Sequence, residues 1–452
     1  MKILSKRWQI SFFSILFILI LAACQADDNN SATNDTSENE TNNINESDNE
    51  TNNVNDENET NESDSESITL KIGNELSEDD QEALKEEFPH IIFEFDEVSA
   101  HEDDIEDEIT QDKIPDIFYI SGGDQIPNLD AYELSYDLTE LIEESDFDLS
   151  TIADEQIDIV RKWSGGEIKY FPYVKRWDVL YYNKDIFDKF GVDYPEDGMT
   201  WNEVEALARE VNGEIDGNEY RGIDISSTGA MIKQLEVNHV DPETDESLYA
   251  SDERFAKYLR MIEKIATIPG VVPDDEERGS NEFLDEQTVA MVPLYDIHIW
   301  LSDIEAETGL SWDMVSYPVF EDEEEQGIVT NASGLTISRT SEHKEEAFEV
   351  LEYLLSKESQ MMRSKAGSAT VLKDTEVQEA FSTEVEGLED KNMQAVFYLD
   401  ELSGPEERSE YEEDGEIIDG LEFVRSGQDI NTYLREISEE ANAAIEDAKG
   451  SD

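Results

Sequence analysis

Apolar positions in this chain recur with two periods. "ITLKIG" at 68–73 reads as a strand, "SEDDQEALKEEFP" as a helix and "IIFEFDEV" as a second strand. In "IPDIFYISGGD" an apolar run follows Pro115 and stops at Gly122 and Gly123, as a buried parallel strand does where it ends at a ligand-facing loop. Strands alternating with amphipathic helices predict an α/β architecture with a parallel sheet.

Further along, "TWNEVEALAREV" predicts a helix start. Thr200 caps it while Glu203 reaches back to complete a capping box. Val204, Leu207, Ala208 and Val211 then share one face, and "EHKEEAFEVLEYLLSKESQ" repeats the pattern with Ala347, Val350, Leu351, Leu354 and Leu355. These stripes are core, and Trp163 and Trp201 are assigned to packing as well.

The start of the chain follows neither period. Lys2, Lys6 and Arg7 precede an apolar stretch from Trp8 to Ala23, and the only cysteine, Cys24, follows Ala22 and Ala23. That is the layout of a secretory signal with a small-residue cleavage site. A single cysteine excludes a disulfide within the chain. Residues 27–67 hold no Lys or Arg, and the unit "TNNINESDNE" returns as "TNNVNDENET". Such a segment buries too little apolar area to offset the entropy of ordering, so a solvated, self-repelling spacer is expected.

Charge sharpens the picture. Three of the 32 basic residues precede Cys24 and 14 of the 114 acidic ones lie in the spacer. The body from Ile68 onward is left with 29 basic and 100 acidic residues, a net −71. A body of that charge repels nucleic acid and anionic lipid, and its acidity reads as adaptation to high external salt or high pH. No phosphate loop of the G-x-x-x-x-G-K-[ST] type, no G-x-S-x-G elbow and no H-E-x-x-H helix is present. His90, His101, His239, His298 and His343 have no metal-ligand spacing, so neither a metal nor a cofactor is expected. With 100 acidic residues, a carboxylate pair of the glycosidase kind is uninformative.

Two resemblances organise these features. "LAAC" resembles a bacterial lipobox, which implies that Cys24 is acylated and tethers the chain to the outer face of the cell membrane. "FPYVKRWDVLYYNKDIFDKFGVDYPEDGMTWNEVEALAREV" resembles a stretch of the extracellular solute-binding proteins, group 1, of bacterial ABC importers. "FLDEQTVAMVPLYDIHIWL", "SWDMVSYPVFEDEEEQGIVTNASGLTIS", "GSATVLKD" and "VRSGQDINTYLREISEEANAAIEDA" resemble later blocks of that family in the same order. The resemblance implies a periplasmic-binding-protein-like α/β fold of two lobes with the ligand between them. Residues 1–24 are then the lipoprotein signal and 25–67 the spacer. The first lobe is expected at 68–176 plus 334–370, and the second at 177–333 plus 371–450.

The family places ligand contacts on loops facing the cleft. Carried onto this chain, they are Ser121, Gly122 and Asp124 after the "IFYI" strand and Arg176, Trp177 and Asp178 at the first crossing. Tyr295, Asp296 and Trp300 follow "AMVP", and Asn331 with Ser333 marks the second crossing. Aromatic faces with Asp, Asn and Arg suit a carbohydrate. Where many relatives carry an aromatic after the first strand, "KIGNELS" offers Gly73 and Asn74. The implied function is non-enzymatic: a monomer that captures a sugar and delivers it to the membrane subunits of an ABC permease. A sensing or adhesion lipoprotein and a carbohydrate hydrolase are the alternatives.

Overall fold

The computed structural model describes residues 68–450 apart from 74, 75, 97, 99, 101, 112, 146, 227, 228, 273–281, 323–325, 330 and 331. Cys24, the spacer, Asn74 and Asn331 lie outside the described residues. In chain order the strands are β1 (Ile68–Gly73), β2 (Ile91–Asp96), β3 (Ile117–Ile120), β4 (Phe171–Val174), β5 (Asp178–Asn183), β6 (Gly213–Ile215) and β7 (Asn218–Tyr220). They continue with β8 (Met291–Tyr295), β9 (Trp312–Ser316), β10 (Gln326–Val329), β11 (Ser333–Ile337) and β12 (Asp400–Leu402).

One sheet has the order β2-β1-β3-β11-β4 and another the order β8-β5-β9. In the first, β1 runs parallel to β2 and β3, whereas β11 is antiparallel to β3 and β4. The second is antiparallel throughout. Within these two sheets the expected parallel pairing therefore holds only for the first three strands, with β10 and β12 forming a separate parallel pair. Strand direction is invisible in β5, because both of its faces are buried and an apolar run carries no sense of direction. Leu180 and Tyr182 join a cluster with Trp201 and Leu259, while Val179 and Tyr181 point the other way, onto Phe283 and Trp312. Leu70, Ile72, Ile117, Phe118 and Leu351 belong to a separate cluster around the first sheet.

The chain passes between these cores at 174–178 and again near Ala369, and Ile328 and Ala332 belong to different ones. The passages at 174–178 and near Ala369 run side by side, with the Lys175 N–H donating to the Ala369 carbonyl at 3.1 Å.

Local signals place the helix ends. Thr200 Oγ1 accepts from the Glu203 N–H at 3.3 Å, and Glu203 Oε2 accepts from the Thr200 N–H at 2.8 Å, closing the expected box. The stripe from Ala347 to Leu354 lies on one helix, Lys344–Leu354, with Leu355 at its C-cap, and the rest of the quoted segment enters a second helix, Lys357–Lys365. Ser356 caps that second helix, its hydroxyl accepting from the Ser359 N–H at 3.2 Å.

That second helix carries Arg363 into the first lobe's core. Its guanidinium donates to Asp80 and to the Tyr173 hydroxyl and lies 3.6 Å from the Tyr173 ring centre. Asp80 is fully buried, and its Oδ2 also accepts the Ser77 hydroxyl at 2.6 Å at the start of the helix Glu78–Glu87. A helix cap and a buried ion pair thus share one carboxylate, just beyond the carboxyl end of β1.

Candidate functional site: a seam of polar groups between the lobes

The carboxyl end of β3 supplies the first wall. Ser121 is followed by a 3-10 turn, Gly123–Gln125, and the Gln125 side-chain oxygen accepts from the Ser121 N–H at 2.9 Å. A Cβ on Gly123 would sit 2.2 Å from Trp163 Cδ1 and 2.6 Å from the Tyr170 hydroxyl, so only glycine lets the loop lie this close to the lobe. Gly122 is buried, Asp124 half-buried and Ser121 exposed.

Arg176 joins this wall to the rest. Its Nε donates to Ser333 Oγ at 3.1 Å, and the Ser333 hydroxyl in turn donates to the Ser121 carbonyl at 2.6 Å. Its Nη1 reaches Asp296 Oδ2 and its Nη2 the Tyr119 hydroxyl, each at 3.4 Å. Ser121, Arg176, Asp296 and Ser333, expected on loops up to 212 residues apart, are thereby drawn into one network. Tyr119 is a member that sequence reasoning missed. Its signal is a polar-tipped aromatic between the fully buried Phe118 and Ile120.

Asp178 opens β5 opposite Tyr295. Burial raises the Asp178 carboxyl to about 6; Lys233 opposes the shift and Asp296 adds to it. Burial likewise raises Asp296, against the pull of Arg176. The loop after β8 is pinned by Tyr181, whose hydroxyl donates to the Tyr295 carbonyl at 3.1 Å and accepts from the Ile297 N–H at 3.2 Å. Beyond it Tyr295 and Trp300 are 60% and 52% exposed, two large apolar side chains left in water.

Trp177 is placed differently. It is 5% exposed, with ring centres of His298 at 5.1 Å and Phe381 at 6.0 Å, inside the third cluster. Burial lowers His298 to about 4, so it packs there as a neutral ring. Among the described residues no cluster of three or more His, Cys, Asp or Glu forms that could hold a metal ion. The site offers hydroxyls, carboxylates, one guanidinium and aromatic faces: a set for binding polar solutes, with no nucleophile paired to a base.

A family model described as bacterial extracellular solute-binding protein matches residues 82–386. Among solved structures, the chain is similar to a sugar transporter from Rhizobium etli in an open conformation, at 19% identity and a TM-score of 0.65, covering 83% of this chain and 99% of that one. The sugar-binding protein MalE from Xanthomonas citri matches at 15% identity and a TM-score of 0.66, over 84% and 98%. An ABC substrate-binding protein from Listeria monocytogenes in complex with cycloalternan matches at 17% identity and a TM-score of 0.60, over 84% and 98%. No curated protein matches the chain.

Proposed function

Because the chain belongs to the bacterial extracellular solute-binding proteins, we propose that it captures a sugar or oligosaccharide between its two lobes and delivers it to an ABC permease. In this reading acylated Cys24 anchors the protein at the outer face of the cell membrane, and the spacer lifts the lobes away from it. The first lobe comprises 68–176 plus 334–370 and the second 177–333 plus 371–450. The observation that carries the reading is the Arg176 network, which gathers polar groups from both sheets where the chain crosses between them. A solute whose hydroxyls replace those partners would touch both lobes and favour their closure. The solved structures' sugars are the natural starting panel. Calorimetry with cycloalternan, maltose and related glycans should give saturable binding. Appearance of cleaved products would instead favour the hydrolase, and no heat from any glycan would defeat the sugar assignment.

Tyr295 and Trp300 supply stacking faces for sugar C–H surfaces. Both are exposed, so truncating either should leave the melting temperature almost unchanged. Loss of one stacked aromatic should weaken binding by roughly tenfold to a hundredfold, following the ~1.5–3 kcal/mol of burying a large side chain. Wild-type affinity in both Tyr295→Ala and Trp300→Ala would remove them from the site.

Asp178 gives a pH signature. Its folded-state value lies above the ordinary carboxylate range, at about 6. The folded protein therefore holds this proton where the unfolded chain has released it. Through this group, stability is greatest at low pH and declines as pH rises from about 4 to about 6. The ionised carboxylate is the stronger acceptor of a sugar hydroxyl, so affinity should rise over the range in which that stability declines. Titrating affinity from pH 5 to 8 checks this. Asp178→Asn should flatten the profile, and an unchanged profile in that variant would count against Asp178 as a contact.

A further inference from the structure

A second set of contacts joins the lobes beside the candidate residues Arg176, Trp177 and Asp178, which share a crevice with Glu401. Residues 395–409 leave the third cluster at Ala395 and Val396, and β12 pairs parallel with β10. The chain then grips the first lobe's helix Asp154–Trp163. Glu401 Oε2 accepts from Gln156 Nε2 at 2.6 Å, while Oε1 pairs with Lys175 Nζ at 2.9 Å, and both ion-pair partners are largely buried. Lys162 Nζ donates to the Ser403 carbonyl at 3.2 Å, to Ser403 Oγ at 2.9 Å and to the Gly404 carbonyl. The Arg408 guanidinium covers the Trp163 ring at 4.8 Å. Next the segment is fastened back to the second lobe, where Asn238 Nδ2 donates to the Glu407 carbonyl and Ser409 Oγ to Asp245, each at 2.8 Å.

Three features of this seam converge. Lys175 lies in the first crossing, so Glu401 holds both the backbone stretch that must bend and, through Gln156, the body of the first lobe. Only 29 cations serve a body of net −71, and two lobes so acidic repel each other. Yet Lys162, Lys175 and Arg408 all stand here. Finally, the crevice that opens between Lys175, Asp178, Tyr317 and Glu401 has room for about two waters, at about 30 Å³.

We propose that residues 400–408 form a strap that splints the hinge and sets the angle between the lobes when no solute is held. Glu401, Lys162 and Arg408 are positioning residues in it, and a solute that changes the angle must do so against their contacts. The proposal rests on the two-lobed fold and on these distances, and it is independent of which solute binds.

Its test needs no solute. In the full chain carrying Cys24→Ser, spin labels at Glu140→Cys and Glu263→Cys, exposed helical positions in the two lobes, report the interlobe distance by pulsed electron resonance. The parent should give one narrow distribution. Glu401→Gln, which keeps the side chain's shape, and the pair Lys162→Met with Arg408→Met should each add a second population, with circular dichroism unchanged. If the double variant fails to fold, Glu401→Gln decides alone. A narrow distribution identical to the parent's, or a parent that is already broad, overturns the strap.

Discussion

Asp80→Ala is expected to lower the unfolding free energy by about 3–5 kcal/mol, the usual loss when one partner of a buried ion pair is removed. The carboxylate is fully buried and serves Arg363, the Ser77 hydroxyl and the first turn of Glu78–Glu87 together. Its removal strands the Arg363 guanidinium in the core and takes away the side-chain half of the capping box, leaving the Ser77 N–H without its acceptor. Urea unfolding measures the effect. Asp80→Asn should fall between the two, because it keeps an acceptor for Ser77 while losing the charge. A change below about 1 kcal/mol for Asp80→Ala, the scale of an ordinary surface substitution, would mean that water reaches Arg363 and that the pair is not a structural element. Melting at molar salt separates this loss from general charge repulsion, which is screened within ~3 Å there. A buried pair should keep its effect.

Arg176→Ala should weaken sugar binding by roughly tenfold to a hundredfold, since a hydrogen bond from a charged donor contributes about 1.5–3 kcal/mol. The expectation follows from the position of Arg176, at the first crossing with partners on both sides. Arg176→Lys should recover only part of the affinity, because an ammonium keeps the charge and loses the planar fork that reaches Tyr119, Ser333 and Asp296 together. Calorimetry with a bound glycan reads both variants. Wild-type affinity in Arg176→Ala would place the solute elsewhere in the cleft, while the fold and family membership would stand.

The two effects separate cleanly. Asp80 sits in the first lobe's core and should change stability with little change in affinity. Half-exposed Arg176 should do the reverse. A protein in which both variants lose both properties would have its cleft and its core coupled more tightly than the contacts here indicate.

Local signals in the chain were read correctly where the physics is local. The alternation of "ITLKIG" became β1, and Thr200 with Glu203 closed the capping box, because both depend on residues within a few positions of each other. The family resemblance agrees with the match over residues 82–386, while the last of the quoted blocks, residues 424–448, lies beyond that match. Ser356 shows what periodicity leaves out: the apolar stripe ends with its helix at Leu354, and the next residues start a second helix because the Ser356 hydroxyl caps it.

By itself, then, the sequence determined the first three strands, the helix between the first two, the Thr200 cap and the apolar faces of two later helices, since hydrogen-bond geometry and side-chain period act over short range. Tertiary structure alone decided the antiparallel second sheet, where two buried faces erase the alternation that would reveal direction. It also decided the partners of the scarce cations. Among 100 acidic residues, nothing in the sequence marks Asp296 for Arg176, Asp80 for Arg363 or Glu401 for Lys175. Packing chose them by bringing those carboxylates within reach, and for Asp80 with Arg363 and Glu401 with Lys175 it also excludes most of the water that would screen the pair.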